Sequence, residues 1–223
     1  DALHRREGVC RRVKMDIRPL REGAGIPLEV EGLWFHYPNQ PYLYRNLNFH
    51  INAKERFLVV GENGVGKSTL LKLMMGIQTP DRGNIRFHPN TDVAYYAQEL
   101  EQLDLQKTVL ENVSAQGCTI KQLRSALSNF LFYEDDINKK AEVLSPGEKA
   151  RIALCRILLQ KANFLILDEP TNHLDPETQE VVGRNFRRFE GTIMVVSHNK
   201  RFVEQVGINR VLRLPLGRVE DYH

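Results

Sequence analysis

The sequence predicts an α/β fold with a mainly parallel central sheet, and three observations carry that expectation. Short apolar strand candidates recur at Arg56–Val60, Phe164–Leu167 and Thr192–Ser197, the first rich in β-branched residues and suited to cover on both faces. Segments with helical spacing of apolar residues alternate with them, as a parallel sheet with crossover helices requires. A glycine-rich turn, Gly61-Glu-Asn-Gly-Val-Gly-Lys67-Ser68-Thr69, joins the first of these strands to the first of these helices.

The elements follow in order. Residues 1–22 hold seven Lys/Arg (Arg5, Arg6, Arg11, Arg12, Lys14, Arg18, Arg21) against four Asp/Glu, which equals the whole net surplus of +3. Any pull toward nucleic acid is therefore expected at this end, although a solvated linker end has the same charge pattern. Glu22-Gly-Ala-Gly-Ile-Pro27 reads as a flexible joint, so residues 1–26 are assigned to a basic linker end and 27–223 to one domain. Leu28–Tyr37 opens a strand, and Leu43–Ile51, with Leu47, Phe49 and Ile51 on one face, reads as its half-exposed partner. After the glycine-rich turn, Leu70, Leu71, Met74 and Met75 define a helix with Gly76 as its stop.

Thr79-Pro-Asp-Arg-Gly83 reads as a turn, and strands at Asn84–Phe87 and Val93–Ala97 are expected to make a mixed sheet near the glycine-rich loop. Residues 108–129 are helical in pattern, and 130–140 are polar and irregular. A second strong helix over Gly147–Leu159 places Ile152, Cys155, Leu158 and Leu159 on one side. A helix from Pro176 to about Phe189 precedes the strand Thr192–Ser197, and Ile208–Leu214 with Arg218–Tyr222 forms a terminal hairpin or edge pair.

Composition sets outer bounds. An apolar share of 42%, a charged share of 26% and an aromatic share of 8% describe an ordinary globular chain. No run approaches the roughly 20 apolar residues of a membrane-spanning helix, and the chain is expected to be cytoplasmic and part of something longer. Cys10, Cys118 and Cys155 are odd in number and widely spaced, without the pairing of a disulfide framework or a zinc site.

The glycine-rich turn fits the phosphate loop G-x-x-x-x-G-K-[ST], for which a chance match in a chain of this length is on the order of one per cent. Its backbone N–H groups wrap a phosphate chain, Lys67 supplies compensating charge, and Ser68 is placed to hold magnesium. Farther on, Leu144-Ser-Pro-Gly-Glu148 makes Ser145 an N-cap with Pro146 at N1 and Glu148 at N3, a capping box with proline in its favoured position. The run Phe164-Leu-Ile-Leu-Asp168-Glu169 puts one carboxylate at the C-terminal edge of a parallel strand, where open α/β sheets bind ligands, and a second beside it. His198 follows the strand Thr192–Ser197 and reaches the same edge.

With these motifs in order, residues 28–222 resemble the nucleotide-binding domain of an ABC ATPase. The resemblance implies the ABC type of phosphate-loop NTPase fold, a mixed, mainly parallel central sheet with an antiparallel β subdomain and a small helical subdomain at about 105–160. It implies ATP and Mg2+ as ligands, with Gly61, Glu62, Asn63, Gly64, Val65, Gly66, Lys67, Ser68 and Thr69 on the nucleotide and Ser68, Gln98 and Asp168 serving the metal. Tyr37 resembles the aromatic that stacks on adenine, with Phe35 as the competing choice. Glu169 is implied as the base that polarises the attacking water, with Gln98 and His198 as further catalytic groups. Ser145, Pro146, Gly147 and Glu148 resemble the signature that acts on the ATP of an opposing domain. Proline there, where glycine is common, removes one N–H but leaves those of Gly147 and the Ser145 hydroxyl. Asn172, Leu174 and Asp175 match the family's D-loop, which follows the strand ending in Asp168.

Within the superfamily, Asn172-His-Leu-Asp175 and Gly147-Glu-Lys-Ala-Arg151 resemble the ABC-F group, as does the short segment between Gln98 and Ser145. The basic stretch ending at Arg18 resembles the linker that joins two ABC-F domains, making this the second domain of a tandem chain. The resemblance implies an ATPase that works only when paired with a second ABC domain, as a clamp on the ribosome, its rRNA or tRNA, in translation control or antibiotic resistance. An ATPase subunit of a transporter and an ABC-F protein acting on DNA are the alternatives.

Overall fold

The computed structural model describes residues 18–23, 25–97, 103–114 and 117–223. Gln98 and the basic stretch up to residue 17 lie outside the described residues. The strands are β1 (Leu28–Phe35), β2 (Tyr44–Ile51), β3 (Arg56–Val60), β4 (Arg82–Phe87), β5 (Val93–Ala97), β6 (Phe164–Asp168), β7 (Thr192–Val196), β8 (Arg210–Arg213) and β9 (Arg218–Asp221). The helices are α1 (Lys67–Met74), α2 (Val109–Val113), α3 (Ile120–Asn129), α4 (Pro146–Leu159), α5 (Pro176–Arg187) and α6 (Lys200–Val206).

Six strands form the central sheet in the order β5-β6-β7-β3-β8-β9, parallel except for β9, which pairs antiparallel with β8. A separate antiparallel sheet runs β2-β1-β4. The expectation of one mixed sheet containing both Asn84–Phe87 and Val93–Ala97 is therefore corrected. β4 alternates exposed Arg and Asn with half-buried Ile85 and Phe87, which suits a sheet with one wet face, whereas β5 is apolar on both sides and joins the buried sheet.

Alternation along the central strands sorts side chains into two layers. Phe57, Val59, Ile166, Met194, Val196 and Leu212 pack with Leu70, Leu71 and Leu73 of α1 and with the small sheet. Their neighbours Leu58, Leu165, Leu167, Ile193, Val195 and Val211 face the remaining helices. Truncating one of these side chains to Ala costs about 2–5 kcal/mol by the usual cavity penalty, so both layers are strongly specified.

The helical stretch expected over 108–129 is two helices. Thr108 with Glu111 and Thr119 with Gln122 each form a complete capping box, so the chain starts a helix twice. The polar stretch 130–140 also departs from expectation, because it supplies Phe130, Phe132 and Ile137 to the core. Arg151 of α4 holds it in place, donating to the Phe130 carbonyl at 2.9 Å with its guanidinium 4.6 Å from the centre of the Phe132 ring. The turn at 79–83 ends early, since Arg82 and Gly83 already belong to β4. Gly76 ends α1 at a left-handed φ of 73°, and the bonds Gly76 N–H to Leu73 O and Ile77 N–H to Lys72 O complete a Schellman motif.

Candidate functional site

Parallel register brings the motif residues to one edge. Ala97 pairs with Asp168, Asp168 with Val196, and Val196 with Val59, so these four residues form one row across β5, β6, β7 and β3. The next residues along the described chains are Glu169, Ser197 with His198, and Val60 leading into the glycine-rich loop. Residues separated by up to about 140 positions meet only because the strand order β6-β7-β3 makes them neighbours.

The loop turns from β3 into α1 through Gly64 and Gly66, both at positive φ. At Gly66, the N-cap of α1, φ is 96°, and a Cβ would sit 2.5 Å from the Tyr44 hydroxyl oxygen. That hydroxyl donates to the Gly66 carbonyl. Burial pushes the Tyr44 phenol well above its ordinary pKa, keeping it protonated as a donor. Tyr44 is a site residue that the sequence pattern does not disclose. It opens β2, and nothing local to it marks a contact 22 residues away.

Lys67 is buried, and its ammonium donates to the Gly61 carbonyl and, at 3.4 Å, to that of Glu62. It lies 3.0 Å from His198 Nε2. An ammonium can only donate, so this bond makes Nε2 the acceptor and leaves the imidazole proton on Nδ1. Glu169 Oε1 is 3.6 Å from the same nitrogen, beyond hydrogen-bond reach. Among the described residues no carboxylate forms an ion pair with Lys67, and its ammonium is met by two backbone carbonyls and the His198 ring.

Glu169 has φ 46°, its N–H donates to the Val196 carbonyl at 2.8 Å, and its carboxylate is about a third exposed at 29%. Asp168 ends β6 half-buried. Ser68 is exposed in the first turn of α1, and Thr69 behind it accepts or donates a 3.0 Å hydrogen bond with the Tyr37 hydroxyl. Of the two candidate aromatic rings, Phe35 is core at 4% exposure, while Tyr37 stands half-buried beside α1.

The second cluster is built on α4. Ser145 accepts from Glu148 N–H at 3.2 Å and its own N–H donates to Glu148 Oε1 at 3.1 Å, with Pro146 at the first helical position, as the sequence predicts. The helix start packs tightly on the loop after β6. A Cβ at Gly147 would lie 2.8 Å from the His173 carbonyl oxygen, and His173 itself takes a φ of 67°. Leu174 is buried, Asn172 is exposed, and Asp175 is the N-cap of α5, accepting from Thr178 N–H at 2.8 Å and from its hydroxyl at 2.9 Å.

A glycine-rich loop between a buried parallel strand and a helix N-terminus, with a carboxylate at the same sheet edge two strands away, defines a phosphate-loop nucleotide-binding domain. Comparison with known proteins narrows the class. The family model described as ABC transporter matches residues 44–172. The YdiF protein of Bacillus subtilis (strain 168) is 44% identical over 204 residues, covering 91% of this chain and 32% of that protein. ABC transporter F family member 5 of Arabidopsis thaliana is 36% identical over 217 residues, or 95% of this chain and 31% of that protein. A dimeric post-hydrolysis state of the ATP-binding cassette MJ0796, bound to ADP and Pi, shares the fold with a TM-score of 0.72, 22% identity, and cover of 88% of this chain and 99% of that one. The chain belongs to the ABC transporter family, as a nucleotide-binding domain of its ABC-F group. It spans about a third of the length of these curated relatives.

Proposed function

We propose that this domain binds ATP with magnesium and hydrolyses it when paired with a second ABC domain. The observation that carries this reading is the meeting of Lys67, His198 and Glu169 at one sheet edge, with distances of 3.0 and 3.6 Å about His198 Nε2. In this reading the N–H groups of 61–69 and the Lys67 ammonium bind the phosphates, and Tyr37 stacks on the adenine. Ser68 and Asp168 offer one hydroxyl and one carboxylate, the sparse hard-oxygen donor set that suits magnesium alongside nucleotide phosphates. Magnesium, when bound, neutralises charge on the phosphate oxygens.

Glu169 polarises the attacking water, His198 contacts the γ-phosphate side of the site, and Gln98 orients water and metal. Ser145 and Gly147, with Pro146 and Glu148 shaping the helix start, serve the nucleotide of the partner domain, and Asn172, Leu174 and Asp175 lie at that interface. The dimeric form of the MJ0796 cassette supports such pairing. The F-family names of the relatives agree with the ABC-F resemblance, and on that resemblance the domain is read as part of a tandem chain that acts as an ATP-driven clamp on the ribosome, on rRNA or tRNA position, in the cytoplasm.

The test uses the full-length protein carrying Glu169→Gln. Hydrolysis is expected to fall by at least about 100-fold, the usual scale for losing a general base, while ATP binding persists and the protein sediments with ribosomes in ATP. Unchanged hydrolysis would remove Glu169 from its role, and sedimentation that ignores ATP would remove the ribosome.

A further inference from the structure

Gln179, on the first turn of α5, bridges two segments that the chemistry keeps separate. Its Nε2 donates to the Leu174 carbonyl at 2.9 Å, and its Oε1 accepts from Asn199 Nδ2 at 2.7 Å. Asn199 follows His198 directly and caps α6, its Oδ1 accepting from Phe202 N–H at 3.0 Å. The orientation of both amides is forced by the ends of the chain of bonds. Phe202 N–H can only donate, which turns Asn199 Nδ2 toward Gln179. The Leu174 carbonyl can only accept, which requires Gln179 Nε2 there. Glutamic acid in its ionised form or a hydrocarbon side chain cannot supply both ends.

The relay continues on both sides. Next to Leu174, the His173 carbonyl abuts Gly147 at the start of α4, where even a methyl group would come within 2.8 Å. Next to Asn199, His198 bonds Lys67 at 3.0 Å. A continuous line of contacts thus runs from the α4 start, through loop and amides, to the phosphate loop. We propose that Gln179 is a positioning residue that couples the 172–175 loop to His198, so that displacement of the loop at the partner face is felt at this chain's own nucleotide site. The idea deepens the ATPase reading above and rests on it for its meaning, though the coupling itself can be measured without hydrolysis.

Spatial continuity alone does not establish coupling, so the test is a cycle. In the full-length protein labelled with 15N-histidine, Gly147→Ala pushes the His173 carbonyl, and the imidazole signals of His198 are recorded. They are expected to move in the Gln179 background, and to move less than half as far with Gln179→Leu or with Asn199→Ser. Asn199→Ser keeps a good N-cap on α6 while removing the amide, which covers the case in which Gln179→Leu does not fold. Equal movement in all backgrounds, or none in any, overturns the proposal. In hydrolysis assays Gln179→Leu is expected to lower kcat about tenfold with KM changed less than twofold. A fall in thermal stability with kcat and the His198 signals unchanged makes Gln179 a helix–helix tie and also overturns it. If the unmodified protein does not hydrolyse ATP, the proposed function fails and the NMR cycle still decides the coupling.

Discussion

Gly66 is held by two constraints that only a missing side chain satisfies. Its φ of 96° disfavours any L side chain, and the Tyr44 hydroxyl occupies the place of a Cβ. Gly66→Ala is expected to destabilise the domain by about 2 kcal/mol or more, from left-handed backbone strain plus the clash. For a chain of this size that is a fall in Tm of roughly 4–8 °C, measurable by thermal unfolding. Tyr44→Phe alone is expected to cost about 1 kcal/mol, the net worth of one hydrogen bond, because the Gly66 carbonyl still accepts from Leu70 N–H at 2.9 Å. The double variant should cost less than the sum, since removing the hydroxyl removes the nearest clashing atom. Strict additivity would mean that the hydroxyl does not shape this corner of the loop.

Among the elements, the turn between β2 and β3 is tied to β8 by a charged cluster. The Glu55 carboxylate accepts from Asn52 N–H at 2.9 Å, from Asn52 Nδ2 at 2.8 Å, and from Arg210 Nη1 at 2.9 and 2.8 Å. Burial alone would lift its pKa, but these hydrogen bonds outweigh it and hold the carboxyl below the usual glutamate value. A carboxyl with a depressed pKa in the folded state adds stability that is present above the unfolded value and is lost as pH falls through the folded one. Stability should therefore drop on acidification below the ordinary glutamate range. Glu55→Gln should flatten that acid limb while lowering stability near neutral pH. Denaturant midpoints at several pH values measure both, and an unchanged acid limb would assign the acid sensitivity to other carboxyls.

At the scale of the whole molecule, the face that starts α4 can be separated from the chain's own site. Ser145→Ala removes the cap and is expected to cost about 1 kcal/mol of stability, with ATP affinity of the same chain's phosphate loop unchanged. Hydrolysis by the paired domains should fall further than that loss of stability explains if, as proposed, the hydroxyl serves the opposing nucleotide. Pro146→Gly should change hydrolysis less than tenfold, because Gly147 N–H and the Ser145 hydroxyl remain in place. Weakened ATP binding in the isolated Ser145→Ala chain would contradict the assignment of this face to a partner.

Much of this architecture is legible in the chain because the relevant physics is local. A phosphate loop needs its glycines and lysine within nine residues, a capping box needs Ser145 and Glu148 three apart, and a doubly covered strand shows itself as an unbroken apolar run. Where local signals compete, the reading slips. The second cap at Thr119 splits a helix that the apolar pattern joins, and Phe130, Phe132 and Ile137 are core residues set among polar neighbours. The separation of β4 from β5 is fixed by which strand each one pairs with.

By itself the sequence determined the fold class, the phosphate loop, the carboxylates at the end of β6 and the cap on α4, each set by spacing along the chain. Tertiary structure decided which distant groups touch: Tyr44 with Gly66, Lys67 with His198, and Gln179 with both Leu174 and Asn199. Those contacts depend on strand order, register and the approach of two helices. No residue carries them until the whole core has packed.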